Sequence, residues 1–323
     1  MSDDADRKTR FPPLILGGNV FGWSLSEEAS FAILDAAFER GLTTVDTADV
    51  YAFWGPGNSG GESETVIGKW LKSRRRAGEV TIHTKGGAPG APGEFANAKL
   101  DAAYLNKAID GSLRRLRADH IDLYYVHYDD KITPTEETLR VFERAISEGK
   151  IGAIAASNYT AARLADALNK AEDLSLPKFC GLQTLYNLYD REAYETELET
   201  LCVERKLPVL TYFSLASGFL TGKYRSEADL SRSATRGGDV KNYLNQRGLR
   251  ILDALDRVSA HYEATPAQIS LAWLMSRPSI AAPVASATSI AQLDGLIGAS
   301  KIKLDDEAIR ELEAASSYVG VPA

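Results

Sequence analysis

Hydrophobic positions along this chain switch between two rhythms. Short apolar runs at 14–16, 42–45, 80–85, 122–127, 151–156, 179–183, 208–212 and 280–284 read as buried strands. Between them, apolar residues recur every three or four positions, the period of a helix with one covered face. The first such helix opens at Ser26-Glu27-Glu28 and carries Phe31, Leu34, Ala37 and Phe38 on its apolar face. It stops at Gly41, where a left-handed residue is wanted. Further helices are predicted over 62–74, 97–116, 135–148, 160–173, 190–206, 246–262, 266–275, 290–296 and 305–315. The longest stretch with neither rhythm is 213–245, and loops of that length are usually functional or mobile.

Strand and helix thus alternate about eight times in 323 residues. That predicts an α/β fold, a single (β/α)8 TIM barrel with additional C-terminal helices and a long loop after the seventh strand. The barrel is expected to fill 11–323 as one domain behind a flexible N-terminal tail, 1–10. An open doubly wound sheet is the runner-up. It usually shows Gly-x-Gly-x-x-Gly after its first strand, which Gly17-Gly18-Asn19-Val20-Phe21-Gly22 does not match.

Composition narrows the partners. The net charge of −7 gives no basic footprint for nucleic acid, and the one basic cluster, Lys72 to Arg76, falls at a helix C-terminus where it complements the dipole. No run approaches the ~18 apolar residues a membrane span needs. The polar residues 1–10 lack the apolar core of a signal peptide. The two cysteines, Cys180 and Cys202, form no disulfide framework, so a cytoplasmic protein is expected.

The candidate chemistry lies at strand ends, which in a barrel face the active-site mouth. Asp46 ends the second strand, Tyr51 follows on its loop, Lys85 ends the third strand and His127 the fourth. Neighbouring strands lie about 4.8 Å apart, so these groups can converge on one small ligand. A phenol near its usual pKa of about 10 is a poor proton donor at neutral pH and needs a cation beside it, which in turn needs a counter-charge. Lys85 supplies the cation and Asp46 the counter-charge. Tyr51 would then give a proton to a carbonyl oxygen as hydride arrives at carbon, with His127 stabilising the developing alkoxide. Trp23, Phe53, Trp54 and Tyr128 follow the first, second and fourth strands and are expected to line an apolar substrate pocket. His83 is two residues before Lys85, so it shares the same side of its strand and reads as a buried histidine, with a supporting role beside Asp46 or Lys85 as the alternative.

With these residues in place, the chain resembles an aldo-keto reductase from about Leu14 to Ala315. Gly41 to Tyr51 (GLTTVDTADVY) resembles the family's first signature, and Leu113 to His127 (LRRLRADHIDLYYVH) the second. Gly149 to Asn158 (GKIGAIAASN) resembles the segment leading to the nicotinamide site. The resemblance implies a catalytic tetrad at Asp46, Tyr51, Lys85 and His127. It also implies that Ser157, Asn158 and Gln183 hold the nicotinamide carboxamide and that Tyr212 stacks on the ring. The segment through Phe213, Ser214, Leu215, Ala216, Gly218, Leu220 and Lys223 is implied to cover the pyrophosphate, and Ser286, Thr288 and Gln292 to meet the adenosine end.

Two departures stand out. Family members often read Tyr-Ser-Pro-Leu where this chain has Tyr212-Phe213-Ser214-Leu215, and losing the proline is expected to loosen the start of that loop. Thr288 stands where an Arg usually meets the 2′-phosphate, and an Asn usual near Leu296 is missing. NADP(H) is the first choice of cofactor, with NAD(H) as the alternative. The expected substrate is a neutral aldehyde, ketone or secondary alcohol. No oligomeric state is assigned. A cofactor-loaded regulatory or redox-sensing barrel with little turnover is the rival reading. A metal-dependent barrel is disfavoured, because four scattered histidines form no rim cluster, and no metal is expected.

Overall fold

The apolar runs become β1 (Ile15–Gly17), β2 (Thr44–Asp46), β3 (Thr81–Gly86), β4 (Ile121–Val126), β5 (Ile151–Ser157), β6 (Leu182–Leu185), β7 (Val209–Tyr212) and β8 (Ile280–Ala285). In a computed structural model of the chain, which describes residues 11–89, 99–232 and 237–318, these eight strands close in sequence order into a barrel. Helices alternate with them, and Ile290–Ala299 and Asp306–Ala315 follow the last strand. The (β/α)8 barrel with extra C-terminal helices is therefore the fold observed. The expected tail, 1–10, lies outside the described residues, as do 90–98 of the loop after β3 and the predicted helix start at Asn97. That helix is described from Ala102, with Asp101 as its N-cap accepting from the Tyr104 amide at 2.8 Å.

By residue contacts the chain divides into two compact units. One comprises Ile15–Gln183 with Ser286–Ile290; the other comprises Thr184–Ala285 and the described residues before Ile15 and after Ile290. In the first unit, parallel register sets Asp46 opposite His83, Lys85 opposite Tyr125, and Ser157 opposite Gln183. Strand alternation gives β3 two faces. His83 lies against the Tyr125 ring on one face, while on the other Thr84 bonds to Glu64 of the helix Glu62–Arg74.

Several elements differ from expectation. The helix Glu27–Glu39 buries Ile33, Leu34, Ala36 and Ala37, while Phe31 and Phe38 are only half-buried. The Arg74 and Arg76 guanidiniums cover those two rings at 5.7 and 3.9 Å. The basic cluster is thus spent on packing and on ion pairs, Arg74 with Asp35 at 2.9 Å and Arg76 with Glu79 at 3.0 Å. β6 starts later than its apolar run because the residues before it, Cys180 and Gly181, exchange only single bonds with Ile154 and Ala156 of β5. The predicted helix over 190–206 contains a π-helical turn, Tyr194–Leu198, before Glu199–Glu204. The described part of 213–245 is not structureless: it folds into the short helical pieces Ala216–Thr221, Glu227–Arg232, Gly237–Val240 and Lys241–Tyr243.

Candidate active site

Beyond β2 the chain stays stitched to β3 by the Thr47 amide on the His83 carbonyl (2.8 Å) and the Asp49 amide on the Lys85 carbonyl (2.9 Å). A turn closed by the Tyr51 amide on the Ala48 carbonyl at 3.1 Å then brings the phenol back over the end of β3. Lys85 Nζ donates to Asp46 Oδ1 at 2.5 Å, to the Thr47 carbonyl at 2.7 Å and to Tyr51 Oη at 3.1 Å. Lys85 and Asp46 are each 1% exposed. The His127 ring sits 6.1 Å from the Tyr51 ring, edge-on, and its Nδ1 is buried with no hydrogen-bond partner among the described residues. The four strand-end residues are therefore gathered in one place.

Electrostatics refine the expected roles. Burial works against the Lys85 charge, but Asp46 and Tyr51 together outweigh it and hold the ammonium above its ordinary pKa. Burial raises the Tyr51 phenol, against the opposing pull of Lys85. Lys85 thus acts in the expected direction, yet desolvation outweighs it. Burial, with Lys85 adding to it, drives His127 well below its usual pKa, so the imidazole is neutral at physiological pH. His83 is buried, as expected, and its pKa is pushed down to about 3 by the same two causes.

Sequence reasoning missed the polar group behind β3. Glu64 is fully buried, accepts from Thr84 Oγ1 at 2.5 Å and from Arg115 Nε at 2.7 Å, and so clamps the neighbour of Lys85 from outside the barrel wall. The signal was present: Glu64 shares a helix face with Ile67, Gly68 and Leu71, all buried. Asp49 is buried beside this pair, and desolvation first, then Glu64, raise its pKa well above the carboxylate range.

The implied carboxamide trio lies in the same unit. Asn158 adopts φ +55° at the end of β5 and donates to the His127 carbonyl at 2.9 Å and to Ser157 Oγ at 3.1 Å. Gln183 Nε2 donates to Asp46 Oδ2 at 2.8 Å. Ser286 Oγ bonds to Asn19 Oδ1, and Thr288 is exposed.

In the other unit, Tyr212 is half-buried and Phe213 is 43% exposed. The start of the loop is tied, not loosened. Ser214 Oγ bonds to the carbonyls of Thr211 and Val284, both at 2.9 Å, contacts a proline could not make. Ala216, Ser217 and Gly218 all have positive φ. The amides of Ala216, Gly218 and Leu220 are committed to the carbonyls of Phe213 and Leu215. The side chains of Ala216 and Leu220 are buried, Leu215 is half-buried, and Lys223 and Gln292 are exposed.

Trp54 gathers the expected aromatic wall. Its ring lies 5.6 Å from Trp23, 5.8 Å from Tyr51 and 5.2 Å from Phe53, while Tyr128 packs 5.3 Å from His127. Among the described residues, no three His, Cys, Asp or Glu side chains are grouped to hold a metal ion, and no helix is long and apolar enough to cross a membrane.

Residues 13–317 match the family model described as the Aldo/keto reductase family. The chain belongs to that family. It is 31% identical over 94% of its length to the "Uncharacterized oxidoreductase YrpG" of Bacillus subtilis, covering 91% of that protein. It is 32% identical over 90% of its length to the "Aldo-keto reductase yakc [NADP(+)]" of Schizosaccharomyces pombe, covering 83% of it. "Protein tas" of Escherichia coli is 27% identical, with 95% of each chain covered. As an aldo-keto reductase the chain is an oxidoreductase of the NAD(P)H-dependent kind that acts on small carbonyl compounds.

Proposed function

We propose that this aldo-keto reductase interconverts a neutral aldehyde or ketone and its alcohol, with Tyr51 giving the proton to the carbonyl oxygen on reduction and taking it back on oxidation. The observation that carries the reading is one ammonium, Lys85, bonded at once to Asp46, to the Thr47 carbonyl and to the Tyr51 phenol. NADP(H), when bound, supplies or accepts the hydride. Asp46 keeps Lys85 charged, and Lys85 stabilises the phenolate that remains after proton transfer. His127, a neutral imidazole, donates a hydrogen bond to the substrate oxygen and steadies it as charge develops.

The residues suit a dinucleotide. Ser157, Asn158 and Gln183 offer the amide and hydroxyl groups a carboxamide pairs with, and Tyr212 offers a flat ring to stack on it. The segment Phe213, Ser214, Leu215, Ala216, Gly218 and Leu220, with the exposed Lys223 cation at its end, is assigned to the diphosphate. Ser286, Thr288 and Gln292 are assigned to the adenosine end. NADP(H) is preferred over NAD(H), in keeping with the NADP(+) in the name of the fission-yeast relative. Trp23, Phe53, Trp54 and Tyr128 form the substrate wall, which suits apolar carbonyl compounds. We assign residues 11–323 to one barrel domain, and a content of two cysteines in 323 residues suits the cytoplasm.

The test is Tyr51→Phe, assayed on a carbonyl panel with NADPH and NADH. Carbonyl reduction at the wild-type rate in that variant would sink the reading.

A further inference from the structure

The carboxylate of Asp46 is shared. Its Oδ1 takes Lys85 Nζ at 2.5 Å and its Oδ2 takes Gln183 Nε2 at 2.8 Å. Gln183, like Asp46, is 1% exposed, so this bond is made out of water. An ionised carboxylate can only accept, which requires the amide nitrogen of Gln183, not its oxygen, to face Asp46. A continuous run of contacts therefore leads from Gln183 through Asp46 and Lys85 to Tyr51 Oη. Asn158, by contrast, spends its amide nitrogen on the His127 carbonyl and on Ser157.

We propose that Gln183 is a positioning residue for proton transfer as well as a cofactor contact: its Nε2 shares Asp46 with Lys85 while its Oε1 serves the carboxamide amine. The inference rests on the reading under Proposed function and deepens it. A hydrogen bond into Oδ2 spreads the Asp46 charge and loosens its grip on the ammonium, leaving more of that ammonium for Tyr51. Without the amide, Asp46 draws Lys85 to itself and the phenolate is less stabilised, so the phenol becomes a weaker acid. The other groups facing Tyr51 are His127 and Tyr128 at the end of β4, and Tyr125 on β4. His127 is neutral, and neither tyrosine brings a positive charge to oppose the shift.

The test uses Gln183→Leu, with Gln183→Met as a second variant of similar volume and Asn158→Ala for comparison. In cofactor-free protein, a double-mutant cycle of Gln183→Leu with Asp46→Asn is read by chemical denaturation. It is expected to be non-additive by about tenfold in the unfolding equilibrium constant. In the loaded enzyme, Gln183→Leu should move two limbs to higher pH by about half a unit or more: the alkaline fall of carbonyl reduction and the rise of alcohol oxidation. Asn158→Ala should weaken NADP(H) binding and leave both limbs in place. An additive cycle, or weaker cofactor binding with an unmoved pH profile in both Gln183 variants, would overturn the proposal. A Tyr51→Phe enzyme at the wild-type rate would instead remove the reading beneath it, a result separate from the cofactor-free cycle.

Discussion

The two faces of β3 each carry a buried ion pair, and they do different things. Inside, Lys85 and Asp46 are both 1% exposed and share their contacts with Tyr51 and Gln183. Outside, Glu64 is fully buried and Arg115 is 14% exposed; Glu64 also takes Thr84 Oγ1, and Arg115 reaches Ser112 Oγ at 3.5 Å. The charges are the same, but the inner pair touches a phenol at a strand end, whereas the outer pair touches a strand hydroxyl behind the wall. A buried ion pair is thus not by itself a site. It becomes one when it reaches a group that can exchange a proton with something that arrives.

Substitutions on the two faces should separate these roles. The largest effect expected is on the inner face: Tyr51→Phe should lower the rate of carbonyl reduction by roughly 10²–10⁴-fold while leaving the denaturation midpoint nearly unchanged. On the outer face, Glu64→Leu takes a buried carboxylate from Arg115 and Thr84 and should cost about 3–5 kcal/mol of stability, read from denaturant unfolding. The folded fraction should keep its turnover. Adding Arg115→Met should restore most of the loss, because removing both charges avoids a stranded one. Loss of turnover out of proportion to stability in Glu64→Leu would mean that the two faces are not separable.

Gly86 probes the outer face by sterics alone. A Cβ there would lie 2.1 Å from Tyr124 Oη, so Gly86→Ala should destabilise the fold by about 1–3 kcal/mol, and Tyr124→Phe should relieve it. Thermal melts of the single and double variants check this.

At neutral pH the smallest expected effect is that of His83 on the inner face, and it grows only in acid. The folded His83 pKa of about 3 lies below the unfolded value near 6.5, so the unfolded chain binds the proton more readily. Its share of stability is complete above pH ~6.5 and is lost as pH falls toward 3, reaching about 2 kcal/mol at pH 5. His83→Asn should flatten that acid limb of the unfolding free energy, leaving the part due to His127, whose pKa is shifted in the same direction.

Much of this molecule is legible in one dimension. The alternation of apolar runs with helical periods, and the positions of Asp46, Tyr51, Lys85 and His127 at run ends, follow from local patterns, because strand and helix periods are set by neighbouring residues. A parallel barrel then brings strand ends together whatever their separation along the chain. Tertiary structure decided how the polar groups pair. Glu64 finds Arg115 across 51 residues, and Gln183 finds Asp46 across 137, distances over which no periodicity carries information. Ser214 keeps the loop after β7 tied without a proline, through a carbonyl 70 residues away. The direction of the Tyr51 shift also belongs to the fold: the sequence names the cation beside the phenol, but only packing sets how much water is removed from both.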